Sequence, residues 1–139
     1  MKVYITFGTA SVGKDLFVGL FEYSDVVDLV GYSREAEKAI EDIQRERPQL
    51  VIVEEVLKIG WGIDVIQSIG KSDGFPAVIM ISTLPPPTMP EESRREDIDL
   101  WLQLPEDMDQ LRETLGRLVT GDSHEAVMAW REQLAEERR

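Results

Sequence analysis

The stretch PQLVIVEEVLKIGWG, Pro48 to Gly62, constrains the fold more than any other part of the chain. Leu50 to Val53 is an unbroken apolar run with two valines and an isoleucine. A strand buried on both faces of a parallel sheet reads this way, whereas a strand with one wet face alternates. The run stops at two carboxylates, Glu54 and Glu55. In open α/β sheets, functional groups collect just beyond the carboxyl ends of the strands. Acid therefore stands where such a fold places its site.

The rest of the chain supplies the other layers. Val3 to Phe7 reads as a strand broken by Gly8. Ser11 is a candidate cap for a helix in which Val12, Leu16 and Leu20, with Phe17 and Phe21, recur at helical spacing. Val26 to Val30 is a second apolar run, closed by Gly31, and Ser33 is a candidate N-cap for a helix carrying Ala36, Ile40 and Ile43 on one face. Pro48 ends that helix. Ile63, Ile66 and Ile69 mark a third helix, stopped by Gly70 and Gly74. Ala77 to Ile81 and Ile98 to Leu102 read as strands four and five. Asp107 can cap a helix striped by Met108, Leu111, Leu115 and Leu118 and closed by Gly121. Alternating strand and helix predicts a parallel sheet with helices on both faces.

Two segments break the rhythm. Leu84 to Asp97 holds four prolines and no apolar stripe, so it accommodates at most one short helix from about Pro90. In the tail, Asp122 and Glu125 have capping-box spacing, and Val127, Trp130 and Leu134 line one face of a helix. The expected organisation is one domain over residues 1–121 with a helical extension over 122–139.

At 139 residues the chain is long enough to bury a sizeable core, and 42% hydrophobic with 30% charged residues suits a globular domain. Fifteen basic against 27 acidic residues leave a net charge of −12. That balance argues against nucleic acid and anionic membrane surfaces as partners. Without cysteine there is no disulfide framework or thiolate metal site, and the single histidine, His124, excludes a multi-histidine centre within one chain. No apolar run approaches the roughly 20 residues that span a bilayer, and MKVYITFG reads as a strand rather than a signal peptide, so the cytoplasm is the expected location.

One motif points to nucleotides. GTASVGKD, Gly8 to Asp15, matches G-x-x-x-x-G-K between a strand and a helix, making Gly8, Gly13 and Lys14 a candidate anion-binding loop. Asp15, however, replaces the hydroxyl residue that would hold Mg²⁺ and sets negative charge beside the phosphates.

Three other stretches resemble the receiver domain of bacterial two-component response regulators, over roughly residues 1 to 120. Receivers carry a Pro-Asp, four apolar residues, the phospho-accepting Asp and a Gly eight residues later. Here Pro48, Leu50 to Val53, Glu54 and Gly62 fill those places, with Gln49 for the first Asp. VIMIST places Ser82 at the family's Ser/Thr position, and DLWLQLPED places Trp101 at its switch aromatic and Pro105 after its active-site lysine. The resemblance implies a flavodoxin-like (CheY-like) doubly wound five-stranded parallel sheet, a role in signal transduction and no enzymatic activity.

The departures set the functional expectation. Where receivers hold Mg²⁺ with an acidic pair, this chain has Phe7 and Gly8. The acceptor is Glu54, one methylene longer than Asp, and the lysine position is Leu104. Magnesium needs oxygen ligands in near-octahedral geometry, and in-line transfer needs a placed acceptor. The resemblance thus implies a degenerate receiver that acts through protein partners, with no cofactor and no metal. Glu54 reads either as a mimic of phosphorylated Asp or as a tolerated strand-end carboxylate. The alternatives are a phosphorelay receiver with an unconventional site and a nucleotide binder through Gly8–Lys14. The face around strand five, a usual partner surface in receivers, is expected to be altered by the proline-rich segment. The Val127, Trp130 and Leu134 stripe is expected to anchor a homodimer.

Overall fold

The computed structural model describes residues 1–69, 76–83, 98–119 and 123–137. Five strands, β1 (Lys2–Thr6), β2 (Asp28–Ser33), β3 (Leu50–Glu54), β4 (Ala77–Ser82) and β5 (Leu100–Gln103), form one sheet in the order β2-β1-β3-β4-β5. Every pairing is parallel. The helices are α1 (Ala10–Phe21), α2 (Ala36–Glu46), α3 (Gly62–Ser68), α4 (Met108–Val119) and α5 (Ser123–Glu137).

Alternate strand residues feed two cores, as a pleated sheet covered on both faces requires. Val3, Ile5, Leu50, Ile52, Ile79, Ile81, Leu100 and Leu102 pack with Leu16, Leu20, Leu111, Leu115 and Leu118 of α1 and α4. Tyr4, Val51, Val53, Val78 and Met80 pack with Ala39, Ile43, Val65 and Ile66 of α2 and α3. β3 and β4 are buried throughout, which is why their sequences are apolar without alternation.

β2 departs from its expected bounds. The amides of Val26 and Val27 both donate to the Tyr23 carbonyl, closing a turn after α1. The strand therefore starts only at Asp28, and it continues through Gly31, with a register shift opposite Val3/Tyr4. It is an edge strand, so little burial marks it in the sequence. Ser33 ends this strand instead of capping α2: its hydroxyl accepts from the Glu35 amide at 3.0 Å, and Glu35 is the N-cap residue. α2 ends at Arg47, which turns left-handed (φ 48°) before Pro48.

The tail corrects one expectation. Val127, Trp130 and Leu134 are buried in the same core as α1 and α4, with Trp130 only 4% exposed. The stripe is covered by its own domain and not left for a second copy. α5 lies along α4 as a third helix on this face of the sheet. Arg131 clamps it from the side. Its Nε donates to Asp99 Oδ1 at 2.9 Å and its Nη2 to Asp99 Oδ2 at 3.2 Å, and Nη2 also reaches the Pro76 carbonyl at 3.4 Å. Asp99 Oδ2 meanwhile accepts from the Val78 amide, so one carboxylate joins the tail to the start of β4. The expected short helix near Pro90, the glycine stops at 70, 74 and 121, the Asp122 cap and the His124 side chain lie outside what is described. Among the described residues, no helix is long and apolar enough to cross a membrane.

Candidate functional site

Parallel strands bring their carboxyl ends to one rim, where the turns after β1 and β3 meet beside the end of β4. Glu54, the last residue of β3, is 1% exposed, and its neighbour Glu55 2%. The Glu54 side chain crosses to the turn between β1 and α1. Its Oε1 accepts from the Gly8 amide at 2.8 Å and the Thr9 amide at 2.9 Å, and its Oε2 accepts from the Thr9 hydroxyl at 2.7 Å. Thr9 is the residue before α1, so the carboxylate stands at the positive end of that helix. The first turn of α1 has no acidic residue of its own. A strand residue supplies the negative charge that the helix start favours.

The rim beside Glu54 is aromatic rather than acidic. Phe7 is buried, its ring 6.0 Å from that of Phe17 in an edge contact and 6.3 Å from that of Tyr32 in a stack. Arg34 lies over the Phe7 ring at 5.6 Å and donates from Nη2 to the Gly8 carbonyl at 2.6 Å. Leu104, which the resemblance sets at the lysine position, is buried in the α1/α4 core. Ser82 closes β4 and is buried, and its carbonyl accepts from the Leu104 amide. Trp101 lies in β5 opposite Met80, half-buried against the α2/α3 core.

The glycines of the G-x-x-x-x-G-K motif have packing roles. A Cβ on Gly8 would stand 2.1 Å from the Val56 carbonyl oxygen, because the turns after β1 and β3 touch there. Gly13 is inside α1, and a Cβ on it would be 2.4 Å from the Phe7 ring. Lys14 is exposed on the helix. Gly8 thus belongs to the Glu54 cluster, whereas Gly13 and Lys14 sit on α1 itself, past the turn. Among the described residues no group of three or more His, Cys, Asp or Glu could hold a metal ion.

Sequence reasoning missed Thr9 and Arg34. A hydroxyl residue just before an apolar helical pattern was the available signal for Thr9. Nothing local marks Arg34, which reaches the rim only because Thr6 and Ser33 are register partners.

No protein-family model matches the chain, and no curated protein sequence matches it. Solved structures do. The REC domain of the response regulator AraT from Geobacillus stearothermophilus superposes with a TM-score of 0.71 at 20% identity, covering 99% of this chain and 98% of that one. The response regulatory domain of mrkE from Klebsiella pneumoniae gives 0.72 at 14% identity, covering 95% and 99%. The response regulator domain of Thermotoga maritima CheB gives 0.69 at 17% identity, covering 88% and 98%. The fold is that of a CheY-like receiver domain. Within this receiver fold, Glu54, Ser82 and Leu104 gather at the strand-end rim, and Phe7 and Gly8, expected at the acidic-pair positions, are an aromatic wedge and a tight turn. Trp101 sits one strand position before Leu102 and faces the opposite core.

Proposed function

We propose that this receiver-fold domain is a signalling module that works through contact with protein partners and does not carry phosphoryl groups on Glu54. The observation that carries this reading is the Glu54 carboxylate itself. Both its oxygens are already acceptors, held by two amides and a hydroxyl. An acceptor must present a free oxygen in line with the donor, with a cation against the transferred charge. Phe7, Gly8 and Leu104 supply no charge for that purpose.

The same geometry separates two readings of Glu54. The described hydrogen bonds of its side chain all run to the turn after β1, on the side where receivers hold metal. We therefore read it as a built-in staple between β3 and α1, in place of an exchangeable ion, and not as a copy of phosphorylated Asp. Nucleotide binding through Gly8–Lys14 has less support, because the amides of Gly8 and Thr9 already serve an anion from within the chain.

Intact-mass measurement after incubation with a small phosphodonor and Mg²⁺ tests the reading. The expected result is an unchanged mass. A stoichiometric gain of one phosphoryl group, lost in Glu54→Gln, would overturn it and favour the phosphorelay alternative. ATP is likewise expected to leave the melting temperature unchanged, whereas a bound ligand would raise it with concentration. A saturable rise with ATP, absent with adenosine and in Lys14→Ala, would establish the nucleotide reading instead.

A further inference from the structure

The rim cluster leads outward to a surface on the flank of α1, away from Glu54. From buried Phe7, the rings continue to Phe17 and Tyr32, which meet edge to face at 5.3 Å. Tyr32 is 53% exposed. Phe21 follows Phe17 by four residues, hence one turn later on the same flank of α1, and it is 76% exposed. Leu29, 36% exposed, stands opposite Val3, and Tyr32 opposite Ile5, so both project on the α1 side of the sheet. Because α1 runs antiparallel to the strands, Phe17 and Tyr32 lie towards the upper end of this flank and Phe21 and Leu29 towards the lower. The result is a strip of four large apolar side chains between α1 and the β2 edge. Exposed apolar side chains clustered in this way, here with Phe17 partly buried among them, mark interaction sites.

Acidic side chains border the lower end of the strip. Glu22 and Asp25 are both exposed at its lower end, and neither has an ion pair with a described residue, whereas Asp28 stands beside Lys2 in the sheet register and projects on the opposite face. The last turn of α1 has no basic residue. Two carboxylates therefore stand at the negative end of a helix dipole, an unfavourable arrangement that the Met1 ammonium, donating to the Val26 carbonyl at 2.7 Å, offsets in part and a further cation relieves. Lys14, two turns before Phe21 on the same flank, marks the opposite end. A second copy of this chain brings a net charge of −12 and matches such a surface poorly. The register shift in β2 also twists that edge away from simple strand addition.

We propose that the flank between α1 and the β2 edge docks a cationic amphipathic helix of a partner protein. Its apolar stripe lies on Phe17, Phe21, Leu29 and Tyr32, and its basic residues meet Glu22 and Asp25. This deepens the partner-binding reading but not its chemistry, since the lower end of the strip is at the opposite end of the sheet from Glu54. Phosphorylation of Glu54 would leave the docking proposal standing, and loss of docking would leave the phosphorylation result untouched.

The test uses a fluorescently labelled leucine–lysine peptide of about 14 residues, roughly four turns, with leucines at helical spacing. A serine–lysine peptide of equal charge is the control, and binding is read by anisotropy to the full chain. The leucine–lysine peptide is expected to bind and the control to bind at least tenfold more weakly. Phe21→Ser and Leu29→Ser should each weaken binding about tenfold, the effect of one lost apolar anchor. Glu22→Gln combined with Asp25→Asn should weaken binding and flatten its salt dependence. Met128→Ser, which removes a side chain 44% exposed on α5, should change nothing. These side chains are exposed, so the variants should melt as the parent does. Equal affinity for the two peptides, no binding at all, or binding indifferent to Phe21→Ser and Leu29→Ser would each overturn the proposal.

Discussion

The Glu54 carboxylate reaches its three donors only because its side chain has the length of glutamate. Asp at this position withdraws the oxygens by one methylene and leaves the Gly8 and Thr9 amides short of an acceptor. Donors buried without a partner cost about 1–3 kcal/mol. Glu54→Asp should therefore lower unfolding free energy by about 1–3 kcal/mol in urea titration, and Glu54→Ala by more. The aspartate that receivers use would thus weaken this domain. Gly13 and Phe7 form a second coupled pair. Gly13→Ala should cost about 1–3 kcal/mol by overpacking against the ring, and much less in a Phe7→Ala background, a non-additivity that a double-mutant cycle measures. Tyr4 responds to pH. Its hydroxyl donates to Asp42 Oδ2 at 2.7 Å, and burial first, then that carboxylate, push its pKa far above the ordinary tyrosine value. The folded state thus holds a proton that the unfolded chain releases near pH 10. Its contribution is complete below about pH 10 and is lost as pH rises beyond it. Stability curves between pH 9 and 11 should fall less steeply in Tyr4→Phe, which will itself be weaker at neutral pH by the lost hydrogen bond, about 1 kcal/mol.

At the scale of elements, α5 is held by a buried ring and a clamp. Trp130→Ala should cost about 3–5 kcal/mol, as truncation of a buried aromatic does. Arg131→Ala should cost about 1–3 kcal/mol, because the pair is largely shielded and two-pronged, and Asp99→Ala should cost more, since it also deprives the Val78 amide; chemical denaturation ranks the two. The elements differ in how plainly the sequence showed them. β3 and β4 were legible because burial on both faces leaves apolar runs, Leu50 to Val53 and Ala77 to Ile81, and β1 because only Thr6 interrupts the run from Val3 to Phe7. β2 was legible only in part: its lower half is exposed, and the adjacent valines 26 and 27 belong to a turn. The α5 stripe told that Val127, Trp130 and Leu134 must be buried, but periodicity names no partner, and the surface they cover is made by residues far away in sequence. Glu54 was legible as acid at a strand end. Its function as an acceptor for the turn after β1 was not, because the donors lie 45 and 46 residues earlier. The glycine spacing suggested a phosphate loop because space for a phenyl ring and space for a phosphate select the same residue.

For the molecule as a whole, three helices cover one face of the sheet and two described helices the other. The third helix of the larger layer is the tail, so its removal opens the α4 flank and the floor formed by β4 and β5. A chain ending at Gly121 should therefore associate more than the full chain, not less, and melt lower; light scattering with a thermal melt checks both. A full chain that is dimeric, with the same state kept by Trp130→Ala, would place any homodimer surface elsewhere than the tail. The staple at Glu54 has a further consequence. An ion or a phosphoryl group arrives from solution, so its occupancy follows a concentration and ends with a dissociation or hydrolysis rate. A carboxylate delivered by the backbone has neither. It cannot be diluted, chelated or turned over, and its hold on α1 has no lifetime shorter than that of the fold.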